Sequence, residues 1–342
     1  MRKKTIKYSF LFFGLGILLL IFFAVDIFLG SVVLPFTDVW AALTGNGNVP
    51  ENIEKIIFNF RLPKAEVALL AGIALSVSGL QMQTVFRNPL ADPYVLGISS
   101  GSSFGVALFI LGTGFWSFSS ALWVQNLGMA LAGWIGAFVM LAIIMTASLR
   151  LRDTMSMLVL GIMVGGVVSA IVGVMQYFSE ATALKTYVLW TMGSFSAVPT
   201  EQLAMMFPAI LLGLLLAFLT MKWLDALMLG DEYACTMGLN VRKARTVLII
   251  SSGFLAGTIT AFCGPIGFIG IAVPHLTRML FQTASHRILL PATVLLGGVV
   301  MLFSDIVSQL PGTHSVLPIN TITALLGIPV IILIIFRNQR GF

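Results

Sequence analysis

Polar side chains are scarce in this chain, so those inside apolar runs carry the argument. The densest group lies at 264–278, GPIGFIGIAVPHLTR. It holds Gly264, Gly267 and Gly270, with Gly257 just upstream, together with Pro265, Pro274, His275 and Arg278. A plain membrane helix needs no such mixture, because proline removes a backbone donor and glycine weakens the helix. Interrupted backbone at membrane depth survives only where protein buries it or water lines it. The stretch therefore predicts a broken helix at about 263–275 beside a translocation pathway. A tight turn between two ordinary spans is the competing reading, and His275 reads equally as a packing residue.

A second group is the polar insert 224–247, LDALMLGDEYACTMGLNVRKARTV. Asp231 and Glu232 fall in the first turn of a short helix after Gly230, where carboxylates suit the helix dipole. Gly238 can end that helix, and a second short helix can start near Asn240 and run into the basic RKAR. Two short helices around a glycine corner predict a compact docking knob; a solvated loop is the alternative. Elsewhere, Thr154 is placed to cap a helix that carries Ser156.

Other chemistries lack their residues. There is no GxxxxGK[ST] nucleotide loop, no HExxH and no GxSxG. Acidic residues within apolar runs are limited to Asp26, Glu66 and Asp305, a thin supply for an ion-driven carrier. An intramembrane enzyme would have to draw on His275 and Asp305, and nothing in the sequence brings them together. Cys235 and Cys263 read as small packing residues rather than a disulfide or metal site. The 17 methionines and 26 phenylalanines read as packing too.

The elements that position these residues follow from composition. Of 342 residues, 58% are hydrophobic and 9% charged, with a mean hydropathy of +1.02, against about 25% charged in a soluble domain. Most of the chain must lie in lipid. The apolar runs are continuous rather than alternating, which excludes a β-barrel. Spans are expected at 8–30, 65–86, 94–114, 121–148, 155–177, 201–221, 246–262, through the broken segment to about 282, 288–309 and 318–336. The first run resembles a signal peptide but is too long for one, and its cleavage site near Ala24 is weak. Residues 31–60 read as an outer loop with some helix, 179–200 as a mixed outer loop, and His286-Arg287 as an inner loop. With ten spans, fifteen of the 19 Lys and Arg residues fall on the side holding both termini and four (Lys55, Arg61, Lys64, Lys185) on the other. That is the positive-inside pattern. The net charge of +6 reflects these loops, not a nucleic-acid surface.

Several blocks in one order resemble the FecCD-type permease family, the membrane subunits of ATP-driven importers for ferric siderophores, haem and cobalamin. They are RLPK (61–64), SGLQMQ (78–83), RNPLADPYVLGISSGSSFG (87–105), LGDEYACTMGLN (229–240), GPIGFIGIAVPHLTR (264–278), SHRILLP (285–291) and LPINTITALLGIPV (317–330). The resemblance implies an all-α integral membrane fold of about ten transmembrane helices with the type II ABC importer permease architecture. It implies one transmembrane domain over 1–342, with a cytosolic coupling insert at about 224–245. It further implies a second copy of the chain around a central pathway, two cytosolic ATPase subunits that carry ATP and Mg, and a periplasmic or lipid-anchored binding protein. The setting would be the bacterial inner membrane with both termini cytoplasmic. No enzyme activity, cofactor, metal or nucleic acid is expected of the chain itself.

By position, the resemblance assigns ATPase coupling to Gly230, Asp231, Glu232, Ala234 and Gly238. It assigns binding-protein docking to Arg61 and Lys64, and the pathway and its gate to Thr154, Ser156, Pro274, His275 and Arg278. Spans 2, 3, 5 and 9 are expected to line the pathway. Two departures reduce the docking charge: Gln309 stands where the family often has arginine, and Val316–Asn320 where it often has Glu-Leu-Pro-x-Gly. A secondary transporter working alone on an ion gradient is the alternative function.

Overall fold

The computed structural model of the protein describes residues 2–30, 32–45, 49–112, 122–148, 150, 154–309 and 316–338. These residues form fifteen helices and no strand: α1 (Arg2–Phe28), α2 (Phe36–Thr44), α3 (Glu51–Ile56), α4 (Leu62–Val85), α5 (Ile98–Leu111), α6 (Leu122–Ser148), α7 (Thr154–Phe178), α8 (Ala181–Thr191), α9 (Thr200–Leu219), α10 (Met221–Met228), α11 (Asp231–Thr236), α12 (Val241–Cys263), α13 (Ile269–Phe281), α14 (His286–Ser308) and α15 (Ile319–Asn338). Seven helical segments among the described residues are long and apolar enough to cross a membrane, with three shorter apolar ones, Ile98–Leu111, Ile269–Phe281 and Ile319–Leu333. They occupy the places of the ten expected spans.

Several boundaries are sharper in the structure than in the sequence. The third span starts with a 3-10 turn at Pro93–Leu96, and its helix begins only at Ile98, because the Asp92 carboxylate accepts from the Tyr94 amide at 2.9 Å and holds the turn closed. The outer loop 31–60 contains α2 and α3, and a π-helical turn, Ile57–Arg61, runs straight into α4. The RKAR stretch belongs to the first turns of α12 rather than to a separate short helix, since Asn240 caps it by accepting from the Lys243 amide at 3.0 Å. The 179–200 loop likewise contains a helix, α8.

The middle of the molecule is α4. It packs against α14, α12, α13 and α9, and 78% of its most apolar stretch is buried within the chain, as is that of α12. The corresponding figures for α1 and α7 are 17% and 28%, so these helices turn their apolar faces outward. Small residues allow the close packing of α4. A Cβ on Gly79 would stand 1.9 Å from the Gly270 carbonyl oxygen, and one on Gly72 would stand 2.2 Å from that of Gly297. The small residues of the second span thus serve helix approach inside one chain.

Candidate functional site

On the face bearing the inner loops, α10, α11 and the start of α12 form the expected knob. Gly230 enters α11 at φ 117°, which a side chain disfavours. Gly238 leaves it at φ 82°, with its own amide bonded to the Cys235 carbonyl at 2.9 Å and the Leu239 amide to the Ala234 carbonyl at 3.0 Å. This pair of bonds is the Schellman ending of a helix. Ala234 is buried, whereas Glu232 and Gly238 are exposed. Leu229, Tyr233 and Met237 are each 60–63% exposed. Together they give the polar insert an apolar tip. Cys235 shares that exposed surface, while Cys263 is buried.

Asp231 also has partners within the chain. Its half-exposed carboxylate bonds the Arg87 guanidinium through one oxygen and that of Arg245 at 2.6 Å through the other. Arg87 also donates through Nε to the Leu227 carbonyl at 3.1 Å. Asp231 therefore fastens the knob to the bundle. A second fastening lies beside it. Asp225 Oδ1 accepts from the His286 backbone amide and meets His286 Nδ1, both at 2.8 Å. The other ring nitrogen of His286 meets Thr84 Oγ1 at 3.0 Å. His286 is fully buried at the head of α14 rather than in a loop. Sequence reasoning missed Asp225, His286 and Thr84 as a group, because their partners lie 61 and 202 residues apart.

The break after α12 is real, and protein satisfies it. Over 264–268 the Ile266 amide donates to Tyr94 Oη at 3.4 Å, and the Gly267 amide to Asn320 Oδ1 at 3.0 Å. The Cys263 carbonyl accepts from the Ser194 amide at 2.9 Å. Asn320, a departure from the family pattern, thus supplies the acceptor that holds this loop. Within α13, buried Pro274 offers no amide to the Gly270 carbonyl four residues back. Gln83 Nε2 takes that place, donating to Gly270 and Ile271 carbonyls at 3.3 and 3.2 Å, while its Oε1 accepts from the Arg278 guanidinium. Pro274 and Arg278 are thereby joined to α4, and His275 is half-buried nearby. Burial raises the Asp92 carboxyl to about 6, against the lowering effect of the Tyr94 amide bond.

On the opposite face, Arg61 and Lys64 do not stand free as a docking pair. Arg61 is buried, and its guanidinium donates to the carbonyls of Ile27, Phe28 and Val32 at 2.9, 2.8 and 2.5 Å, closing the end of α1. Lys64 pairs with Asp305 at 2.7 Å with both side chains nearly buried. Gln309 Nε2 donates to Asp26 Oδ1 at 2.7 Å and to Asp305 Oδ2 at 3.3 Å. Both cations line the inner wall of an open cavity of about 770 Å³, with Asn59, Glu201 and Gln309. Partners inside the chain hold these charges. Ser156 is exposed on α7, and the side chain of Thr154 lies outside the described residues.

The model of the FecCD transport family matches residues 18–337. The chain belongs to the FecCD transport family. It is 36% identical over 313 residues to the hemin transport system permease HmuU of Yersinia pestis, covering 91% of each chain. It is 34% identical over 331 residues to the vitamin B12 import system permease BtuC of Klebsiella pneumoniae, covering 96% of this chain and 94% of that one. The molybdate import system permease MolB of Haemophilus influenzae is 33% identical, with 98% of each chain covered. Among solved structures, a transporter described as of metal-chelate ABC type, in an inward-facing conformation, superposes with a TM-score of 0.83 at 31% identity, covering 95% and 98% of the two chains. This FecCD member is accordingly a multi-pass permease subunit of the ABC importer kind and not an enzyme; hydrolysis of ATP belongs to other chains.

Proposed function

We propose that this permease carries an iron-siderophore, haem or cobalamin across the bacterial inner membrane, receiving it from an external binding protein. Two cytosolic ATPase subunits drive it, and two copies of the chain enclose the pathway. The observation that carries this reading is the knob, a rigid glycine-bounded helix with Leu229, Tyr233 and Met237 exposed at its tip and Glu232 beside them. The weakly buried α7 supplies an apolar face suited to a second copy or to lipid, and the charge asymmetry of the loops supports a cytosolic setting for the knob and both termini. Ser156 and the neighbouring Thr154 stand at the inner end of α7, where a gate between two copies would lie. His275 is retained as a pathway candidate, with Pro274 and Arg278 supporting its helix.

The reading is tested by purifying the tagged chain from its native membrane in mild detergent and identifying what accompanies it by mass spectrometry. A soluble subunit with a nucleotide-binding loop, in equal amount, supports it. A clean chain without ATPase activity, under conditions that keep related complexes whole, overturns it in favour of a carrier working alone. Cargo class is then read from stimulation of ATPase activity by the binding protein loaded with ferric siderophore, haem, cobalamin or molybdate. Stimulation by molybdate alone removes the chelate assignment.

A further inference from the structure

The knob is attached to the bundle at more than its chain connections. One oxygen of Asp231 holds Arg87, just beyond the inner end of α4, and the other holds Arg245 in α12. Arg87 itself sits at φ 48°, in the left-handed region that non-glycine residues rarely occupy. Such a conformation persists where surrounding bonds over-determine it, and here the guanidinium bonds to Asp231 and to the Leu227 carbonyl do so. The second attachment, Asp225 to His286 to Thr84, joins α10 to the first residue of α14 and to the last turn of α4. Both attachments reach the inner end of α4, at Arg87 and at Thr84, and the second also reaches α14.

Those two helices are also joined to each other along their length. At mid-height, Gly72 and Gly297 bring their backbones into contact. At the outer end, Lys64 of α4 pairs with Asp305 of α14. The pair is thus held at both surfaces and in the middle, and its outer end forms one wall of the 770 Å³ cavity. Close-packed elements of this kind shift as units rather than deforming gradually.

We propose that Arg87, Asp231, Asp225, His286 and Thr84 are positioning residues that carry displacement of the knob into α4 and α14, which move as one body and reshape the outer cavity. The proposal rests on the importer reading above. It assigns the knob a second duty beyond seating on the ATPase, namely pulling a central rod whose far end faces the cargo side. Arg245 steadies the knob against α12 and is not required for the pull.

The test is hydrogen–deuterium exchange on the complex of this chain with its co-purifying ATPase subunits, with and without ADP and vanadate. In the natural chain, nucleotide trapping is expected to change exchange at 229–240, at 81–87 and at 56–64. In Arg87→Gln and in Asp225→Asn, the response at 229–240 is expected to persist. The responses at 81–87 and 56–64 are expected to shrink roughly two- to thirtyfold, the range of couplings carried by single networks. Arg87→Lys, which keeps a cation for Asp231, is expected to retain more of the response than Arg87→Gln. An undiminished response at 81–87 and 56–64 in both variants overturns the proposal. If Arg87→Gln loses its ATPase subunits, the isosteric Asp225→Asn decides alone by the same readout. The absence of any nucleotide response at 229–240 in the natural chain sinks the importer reading instead.

Discussion

Asp305 and Asp26 lie within a few side chains of each other at the outer end of the bundle, and among the described residues Lys64 alone forms an ion pair with them, at Asp305. Removing one partner of a buried ion pair strands the other, at about 3–5 kcal/mol. Lys64→Met is therefore expected to lower the thermal midpoint strongly in detergent. Asp26→Asn is expected to leave it unchanged or raised, because the second Asp26 oxygen has no donor among the described residues and an amide keeps the shape without the charge. A fall of equal size in both variants would refute this account. Asp92 gives a pH signature. Its folded value of about 6 lies above the usual carboxylate value of about 3.9, so the folded state favours the proton. Its contribution is most favourable below the unfolded value and declines as pH rises through 6. Relative to the natural chain, Asp92→Asn should gain midpoint between pH 4.5 and 7.5, and a parallel offset at all pH values would remove the assignment. At this scale the sequence showed which side chains were unusual but not where they pointed. Arg61 and Lys64 were legible as a basic pair on the outer side. Their burial was not, because the carbonyls of Ile27 and Phe28 and the carboxylate of Asp305 come from distant segments.

Among the helices, those that stop short are informative. At about 1.5 Å per residue, the 13 residues of α13 and the 14 of α5 reach about 20 Å, against a hydrocarbon core of about 30 Å. Both begin inside the protein next to Tyr94, whose hydroxyl meets the Ile266 amide and Thr260. The contact between α4 and α13 depends on two glycines facing each other. Gly79→Val would force a methyl-bearing carbon into the Gly270 carbonyl and is expected to cost about 3 kcal/mol or more. Gly166→Val, at a helical glycine with nothing within 4 Å, is the control and is expected to stay within about 1 kcal/mol. Equal midpoints for the two variants would count against backbone contact at Gly79. The order and type of these helices were legible because long apolar runs admit little else in a membrane, and the break at 264–268 was announced by its glycines and prolines. The start of α5 was not, since a cap at Asp92 and contacts with residues more than 160 positions away set it. Some helix was legible in 31–60, but α8 is too short for periodicity to separate it from loop.

For the whole molecule, the prediction concerns coupling. Glu232→Lys reverses a charge on the exposed face of the knob, and Gly238→Pro replaces the residue whose amide closes α11. Both are expected to insert into the membrane, Gly238→Pro with the end of α11 unwound, yet to hydrolyse ATP without uptake, as measured in vesicles containing the complete complex; normal uptake would refute the assignment. The knob was legible as a unit because Gly230, the acidic first turn and Gly238 sit in helix-boundary order. Its attachment was not, because Asp231 looks like a dipole partner in sequence and becomes an anchor only once Arg87 is beside it. The two cysteines give this arrangement a practical consequence. Cys235 is exposed on the knob and Cys263 is buried, so, on the importer reading, the natural chain carries an alkylatable thiol where the ATPase subunit would sit. A membrane-impermeant maleimide added to inside-out vesicles would then footprint that surface without mutagenesis. The share of chains that resists rapid labelling would report how many permeases in a native membrane are occupied.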